Sequence, residues 1–267
     1  MAGYSQRTLQ DMYGRSRYET RNGKDGMEMI KVTDLKVRYG AMEAVKGVSF
    51  TLGRGETVGI VGESGSGKST IAKTLIGLEK PYSGSIVSSA KSVQMVFQDA
   101  VGSLNPRMTV RQTLEETIKV KRASKRTVGE LLDIVGLSSA VLGQYPREMS
   151  GGQCQRVSIA RALACEPDVL VADEPVSALD VSVQARILNL LRDLRSSLDL
   201  SILLIAHDLA VVKNVCDRVC VMQRGLFVDS GDAAEVFANP QSEYTKRLLA
   251  AVPDVARALA RRRSESL

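Results

Sequence analysis

Apolar residues along this chain fall into short β-branched runs, separated by stretches with helical spacing. Glu56-Thr-Val-Gly-Ile-Val61, Val93-Gln-Met-Val-Phe97, Val169-Leu-Val-Ala172 and Ser201-Ile-Leu-Leu-Ile-Ala206 each read as a buried strand. After the first run, Ile71, Leu75 and Leu78 recur at helical spacing. Val128-Gly-Glu-Leu-Leu-Asp-Ile-Val135 reads as another helix, and Val157, Ala160 and Leu163/Ala164 give an amphipathic face to the segment 153–164. The pattern divides the chain. Residues 29–98 are β-rich with one helix, 99–164 are helical, 165–231 return to strand–helix–strand alternation, and 232–252 read as two short helices. Such alternation predicts an α/β fold built on a parallel sheet. There is no internal repeat.

The candidate chemistry sits where the apolar runs end. Gly62-Glu63-Ser64-Gly65-Ser66-Gly67-Lys68-Ser69-Thr70 fits the phosphate-loop pattern G-x-x-x-x-G-K-[ST], with a strand before it and a helix after it. Backbone N–H groups of such a loop, backed by a helix N-terminus, form an anion cradle. Lys68 is expected to reach the β- and γ-phosphates of a bound nucleotide, and the Ser69 hydroxyl to bind Mg²⁺. Asp173 and Glu174 follow the run 169–172, at the edge where parallel sheets bind ligands. Neighbouring strand residues face opposite sides, so the two carboxylates are expected to divide their work between the Mg²⁺ shell and the attacking water.

Met149-Ser150-Gly151-Gly152-Gln153 admits two readings. Ser150 and Gln153 fit a capping box, which makes the string an ordinary helix start. Gly151 and Gly152 also leave that helix N-terminus unshielded, so its N–H groups can face a γ-phosphate.

Together these residues resemble the ATP-binding cassette ATPases. In that family the phosphate loop is followed by a Gln loop, a Ser-Gly-Gly-Gln signature, an acidic strand, a Ser-Ala-Leu-Asp loop and a lone His. The counterparts here are Gln98 at the end of the strand 93–97, Ser150-Gly151-Gly152-Gln153, Asp173-Glu174, Ser177-Ala-Leu-Asp180 and His207, the only histidine. Tyr39 stands where the family places an aromatic that stacks on adenine. The resemblance runs from about Met29 to about Val252. It implies a phosphate-loop NTPase fold with a β-rich entry subdomain, a RecA-like core and an inserted helical subdomain at about 99–164, within a domain spanning 27–252.

The resemblance also implies a mechanism. Two cassettes pair head to tail, with ATP on the phosphate loop of one and under Ser150-Gly151-Gly152 of the other. Glu174 polarises water, His207 contacts the γ-phosphate, Asp173, Ser69 and Gln98 surround Mg²⁺, and Asp180 senses the opposite site. Implied partners are two membrane-spanning permease subunits, a second homologous or identical cassette and, indirectly, an extracytoplasmic substrate-binding protein. The implied place is peripheral, on the cytoplasmic side of the cell inner membrane.

A narrower likeness joins Gln94-Met-Val-Phe-Gln-Asp99, Ser103-Leu-Asn-Pro-Arg-Met-Thr109 and Glu243-Tyr-Thr-Lys-Arg-Leu-Leu249 to the cassettes of di- and oligopeptide importers and nickel importers. This chain departs from that subfamily at Ala100 (usually Pro), at Gln241-Ser-Glu before Tyr244 (usually Pro-His-Pro), and in a short stretch between Gly84 and Gln94. Met149 replaces the usual Leu. Peptide import is the leading expectation, nickel or metal-chelate import the alternative. A soluble cassette acting on DNA or ribosomes is the contrasting class; those usually carry tandem cassettes or long coiled coils, and this chain shows one cassette and no long heptad run.

Composition narrows the picture. With 267 residues, 44% hydrophobic and 25% charged, the chain suits a soluble globular domain. No run of about 18 apolar residues predicts a membrane span, and no apolar signal core opens the chain. Cys154, Cys165, Cys216 and Cys220 are scattered without a CxxC, and are expected to be reduced thiols rather than a zinc site. The formal charge is +6. Arg107, Arg111, Lys119, Lys121, Arg122, Lys125 and Arg126 form one basic group, and Arg261-Arg-Arg263 another. They suit a solvated face, or contact with anionic lipid or an acidic partner. No aromatics are interleaved, so nucleic acid is not expected. Residues 1–26 read as a disordered leader, or as sequence upstream of a true start at Met27 or Met29; residues 253–267 read as a basic tail.

Overall fold

The computed structural model describes residues 18–19, 28–120, 126–177 and 179–251. The expected basic tail, Lys121, Arg122 and Lys125 lie outside them. So does the expected leader, except Tyr18–Glu19, which form a two-residue strand, β1.

The described residues form two sheets with helices packed around them, several of the helices grouped between Val96 and Val169. The first sheet has the order β1-β5-β2-β3, where β2 is Glu28–Tyr39, β3 Met42–Gly53 and β5 Ser83–Ser88. β2 runs antiparallel to both β3 and β5. The second sheet has the order β10-β9-β4-β8-β7-β6. Its strands are β4 Thr57–Val61, β6 Val93–Val96, β7 Val169–Asp173, β8 Ser201–Ala206, β9 Arg218–Gln223 and β10 Leu226–Asp232. All its pairings are parallel except β9–β10.

Strands β4, β7 and β8 are buried at every position, which explains their unbroken apolar sequence: a strand covered on both faces has no polar side to alternate with. One face packs against the first sheet and the helix α1, Lys68–Leu75, through Ile60, Ile71, Val171, Leu203 and Ile205. The other packs against the insert and the remaining helices through Val61, Leu170, Ile202 and Leu204. Leu203 is fully buried at the centre of β8. Leu203→Ala should therefore lower unfolding stability by about 2–5 kcal/mol, read as an earlier midpoint in urea.

The insert holds α2 Ala100–Ser103, α3 Val110–Val120, α4 Val128–Ile134, two short 3₁₀ turns at Ser139–Gly143 and Pro146–Glu148, and α5 Gly151–Leu163. α4 opens with a reciprocal capping box between Thr127 and Glu130. α6, Val181–Leu198, connects β7 to β8. α7 Leu209–Lys213, α8 Ala233–Ala238 and α9 Glu243–Ala251 complete the chain.

Two helix expectations need correction. The helix after the phosphate loop stops at Leu75; Gly77 takes φ +80°, and Leu78 is partly exposed beyond the end rather than on the helix's apolar face. α5 is not amphipathic with a wet side along its length. Gln155, Ser158, Ile159 and Ala162 are buried as well as the expected Val157, Ala160 and Leu163, because α5 is enclosed by α2, α3, α4, α6 and β6. All four cysteines are buried free thiols. Burial pushes the Cys220 thiol up to about 12 and Cys216 further still, so both stay protonated and act as small apolar side chains.

Candidate functional site

Register gathers the site. In the parallel sheet Val61 pairs with Ala206, Ile205 with Asp173, and Ala172 with Val96. The C-terminal ends of β4, β8, β7 and β6 therefore lie level. The residues that follow them, Gly62, His207, Glu174 and Gln98, emerge along one edge, where open α/β sheets place their ligands.

The phosphate loop is held tightly from below. A Cβ on Gly62 would collide with the Met222 carbonyl oxygen, and one on Gly67 would lie 2.5 Å from the Ala44 carbonyl oxygen. Gly67 also takes φ +113°, which turns the chain directly into α1. Lys68, the first residue of that helix, is 3% exposed. Its ammonium donates to the Gly62 carbonyl at 2.9 Å and the Glu63 carbonyl at 2.8 Å. Burial pulls it below the ordinary lysine range, and the Glu174 and Asp173 carboxylates oppose that shift.

Asp173 and Glu174 meet different neighbours, and strand alternation is not the cause. Asp173 ends β7 and is buried; its Oδ1 accepts from Ser69 Oγ at 3.0 Å. Burial pushes its carboxyl above the usual range, and the Ser69 hydrogen bond opposes that. Glu174 has already left the strand in the left-handed region, at φ +44°. Its N–H donates to the Ile205 carbonyl at 3.0 Å, and its carbonyl accepts from Ser177 N at 3.2 Å and Ser177 Oγ at 3.2 Å. A non-glycine residue in that region costs roughly 1–3 kcal/mol, and these bonds hold it there. The turn aims the side chain along the edge. Glu174 Oε2 accepts from Gln98 Nε2 at 3.0 Å and lies 3.3 Å from His207 Nδ1, while Oε1 is 3.9 Å from Lys68 Nζ.

Gln98 lies two residues beyond β6, which stops at Val96, so it belongs to the connection rather than to the strand. Next to it Asp99 caps α2 by accepting from Gly102 N at 2.8 Å. At the far end of α2, the Ser103 carbonyl accepts from Arg161 Nη1 of α5 at 2.6 Å. A short covalent and hydrogen-bonded path thus links the carboxylate cluster to α5.

At the start of α5 the capping box is formed in both directions: Gln153 N donates to Ser150 Oγ at 3.3 Å, and Ser150 N donates to Gln153 Oε1 at 2.8 Å. Gly151 is exposed. Gly152 has a packing reason the sequence did not reveal, since a Cβ there would lie 2.6 Å from Val183 Cγ1 of α6. Among the described residues no hydrogen bond or ion pair joins 150–153 to 62–70.

Tyr39 ends β2, 40% exposed. Burial raises its phenol above the ordinary range; its hydroxyl interacts with Thr70 and Glu79, which sets the ring beside the start of α1. Asp180 is exposed at the head of α6 and makes no side-chain capping bond. A contact without a sequence signal is the Tyr244 hydroxyl, which accepts from the Glu63 backbone N–H at 3.0 Å.

A glycine-rich anion cradle with a buried lysine, level with a glutamate held by Gln and His, defines an ATPase of the phosphate-loop class. Comparison with known proteins gives the particular family. A match to the ABC transporter family covers residues 45–177. The oligopeptide transport ATP-binding protein OppF of Lactococcus lactis is 44% identical over 259 residues, covering 85% of this chain and 81% of that protein. OppD of Mycobacterium tuberculosis is 48% identical over 244 residues, covering 84% of this chain and 40% of that longer protein. The dimeric structure of the bacterial ABC transporter cassette MJ0796 matches with a TM-score of 0.68 at 28% identity, covering 77% of this chain and 99% of that one. The chain belongs to the ABC transporter ATP-binding family, and it is an ATP-hydrolysing cassette. No helix among the described residues is long and apolar enough to cross a membrane.

Proposed function

We propose that this cassette powers oligopeptide import across the bacterial inner membrane. It would sit on the cytoplasmic side against two permease subunits, with an extracytoplasmic binding protein supplying the substrate. The observation that carries the catalytic reading is Glu174 at the meeting point of Gln98, His207 and Lys68. The peptide reading draws its support from the OppF and OppD relatives and from the 94–109 and 243–249 motifs.

Lys68 and the N–H groups of residues 62–70 bind and orient the triphosphate. Tyr39 stacks on the adenine. Glu174 orients the attacking water and takes its proton, while His207 and Gln98 hold that carboxylate and border the γ-phosphate. The Ser69 hydroxyl and the Asp173 carboxylate, 3.0 Å apart, are the oxygen donors a hard divalent cation takes and would hold Mg²⁺, with the Gln98 amide as a further oxygen donor. When bound, Mg²⁺ neutralises phosphate charge. Ser150, Gly151, Gly152 and Gln153 face the γ-phosphate in the partner cassette's site, as in a head-to-tail dimer. Asp180, exposed at the head of α6, reports across that dimer. The dimeric cassette among the similar structures supports this arrangement. Gln98, leading through α2 to Arg161, couples the site to the helical insert, the region that would receive the permeases.

Deleting the gene should abolish uptake of a labelled oligopeptide and leave uptake of free amino acids unchanged. Wild-type protein should restore peptide uptake. Undiminished peptide uptake, or loss of nickel uptake in its place, would overturn the peptide reading.

A further inference from the structure

The C-terminal helix reaches into the phosphate loop. Tyr244 lies in the first turn of α9, 5% exposed, and packs in the core beside the insert-facing side of the sheet. Its hydroxyl accepts from the N–H of Glu63, 181 residues earlier. The other side of Glu63 carries the loop's own geometry: its carbonyl accepts from Ser66 N at 3.2 Å and from Lys68 Nζ at 2.8 Å. One residue thus stands between the tyrosine hydroxyl and the ammonium of the phosphate-binding lysine.

The start of α9 is itself pinned. Asp229 of β10, 9% exposed, accepts from Gln241 N at 3.2 Å on one carboxylate oxygen and from Ser242 N at 3.0 Å on the other. Ser242 Oγ in turn accepts from Tyr244 N at 3.1 Å.

We propose that Tyr244 is a positioning residue for ATP binding: its hydroxyl fixes the Glu63 peptide, and through it the Lys68 ammonium, while Asp229 sets the helix that carries it. This rests on the reading of residues 62–70 as the ATP cradle. Tyr244→Phe keeps the buried ring and removes only the acceptor.

The test titrates the full-length chain with a fluorescent ATP analogue and measures its thermal midpoint and, in the assembled transporter, kcat and KM for ATP. The variant should bind the analogue roughly fivefold more weakly, the order expected for one lost hydrogen bond. KM should rise by the same factor with kcat unchanged at saturating ATP. Unchanged affinity overturns the proposal, whatever happens to the thermal midpoint, because a purely structural brace alters melting alone. If Tyr244→Phe does not fold, Asp229→Asn supplies the answer. It leaves the hydroxyl in place but weakens the grip on α9, and should weaken binding roughly twofold; unchanged affinity there is equally fatal. If the wild-type chain fails to bind the analogue, the ATP-cradle reading fails instead.

Discussion

Glu174→Gln stops ATP turnover and leaves ATP bound. The substitution keeps the side chain's size and an oxygen that can accept from Gln98 Nε2. It removes the negative charge that takes a proton from water. Loss of a positioned general base costs about 10²–10⁴ in rate. Binding survives because Glu174 stands 3.9 Å from Lys68 and supplies none of the loop's N–H donors. Removing its charge also lessens repulsion of the triphosphate. Steady-state phosphate release, compared with nucleotide retained on the protein, measures both halves of this expectation. Turnover at the wild-type rate would remove the base assignment.

Lys68→Ala has the opposite signature: binding itself is lost. The ammonium is the buried cation that ties the Gly62 and Glu63 carbonyls into the loop. Truncation removes a charge-assisted contact to phosphate and leaves two carbonyls without that donor. Charged hydrogen bonds contribute about 1.5–3 kcal/mol each, so ATP affinity should fall on the order of 10²-fold. An equilibrium titration with ATP checks this, and unchanged affinity would refute the phosphate-loop assignment. The two variants together separate binding from chemistry at one sheet edge.

Much of that edge is legible in the sequence because each functional residue follows an apolar run. The apolar runs that end at Val61, Phe97, Ala172 and Ala206 mark strands that finish at Val61, Val96, Asp173 and Ala206, and parallel pairing makes those finishes coincide. The details that give the side chains their direction are not legible. Strand alternation separates Asp173 from Glu174 on paper; the left-handed turn at Glu174, held by Ile205 and Ser177, separates them in the molecule. Gly152 reads as an opening for phosphate, yet it also admits Val183. Periodicity carries Leu78 onto the helix that Gly77 ends. Tyr244 reads only as part of a subfamily motif, because no local pattern reports a hydrogen bond across 181 residues. Each of these is set by a tertiary neighbour rather than by the segment's own spacing.

The most direct test of the account uses the tagged Glu174→Gln chain, purified from native membranes with ATP and analysed by mass spectrometry. Arrested turnover should hold the assembly together. The account predicts two polytopic membrane subunits and a second cassette in the purified material. Ribosomal or DNA-repair proteins, with no membrane-spanning subunit, would contradict it.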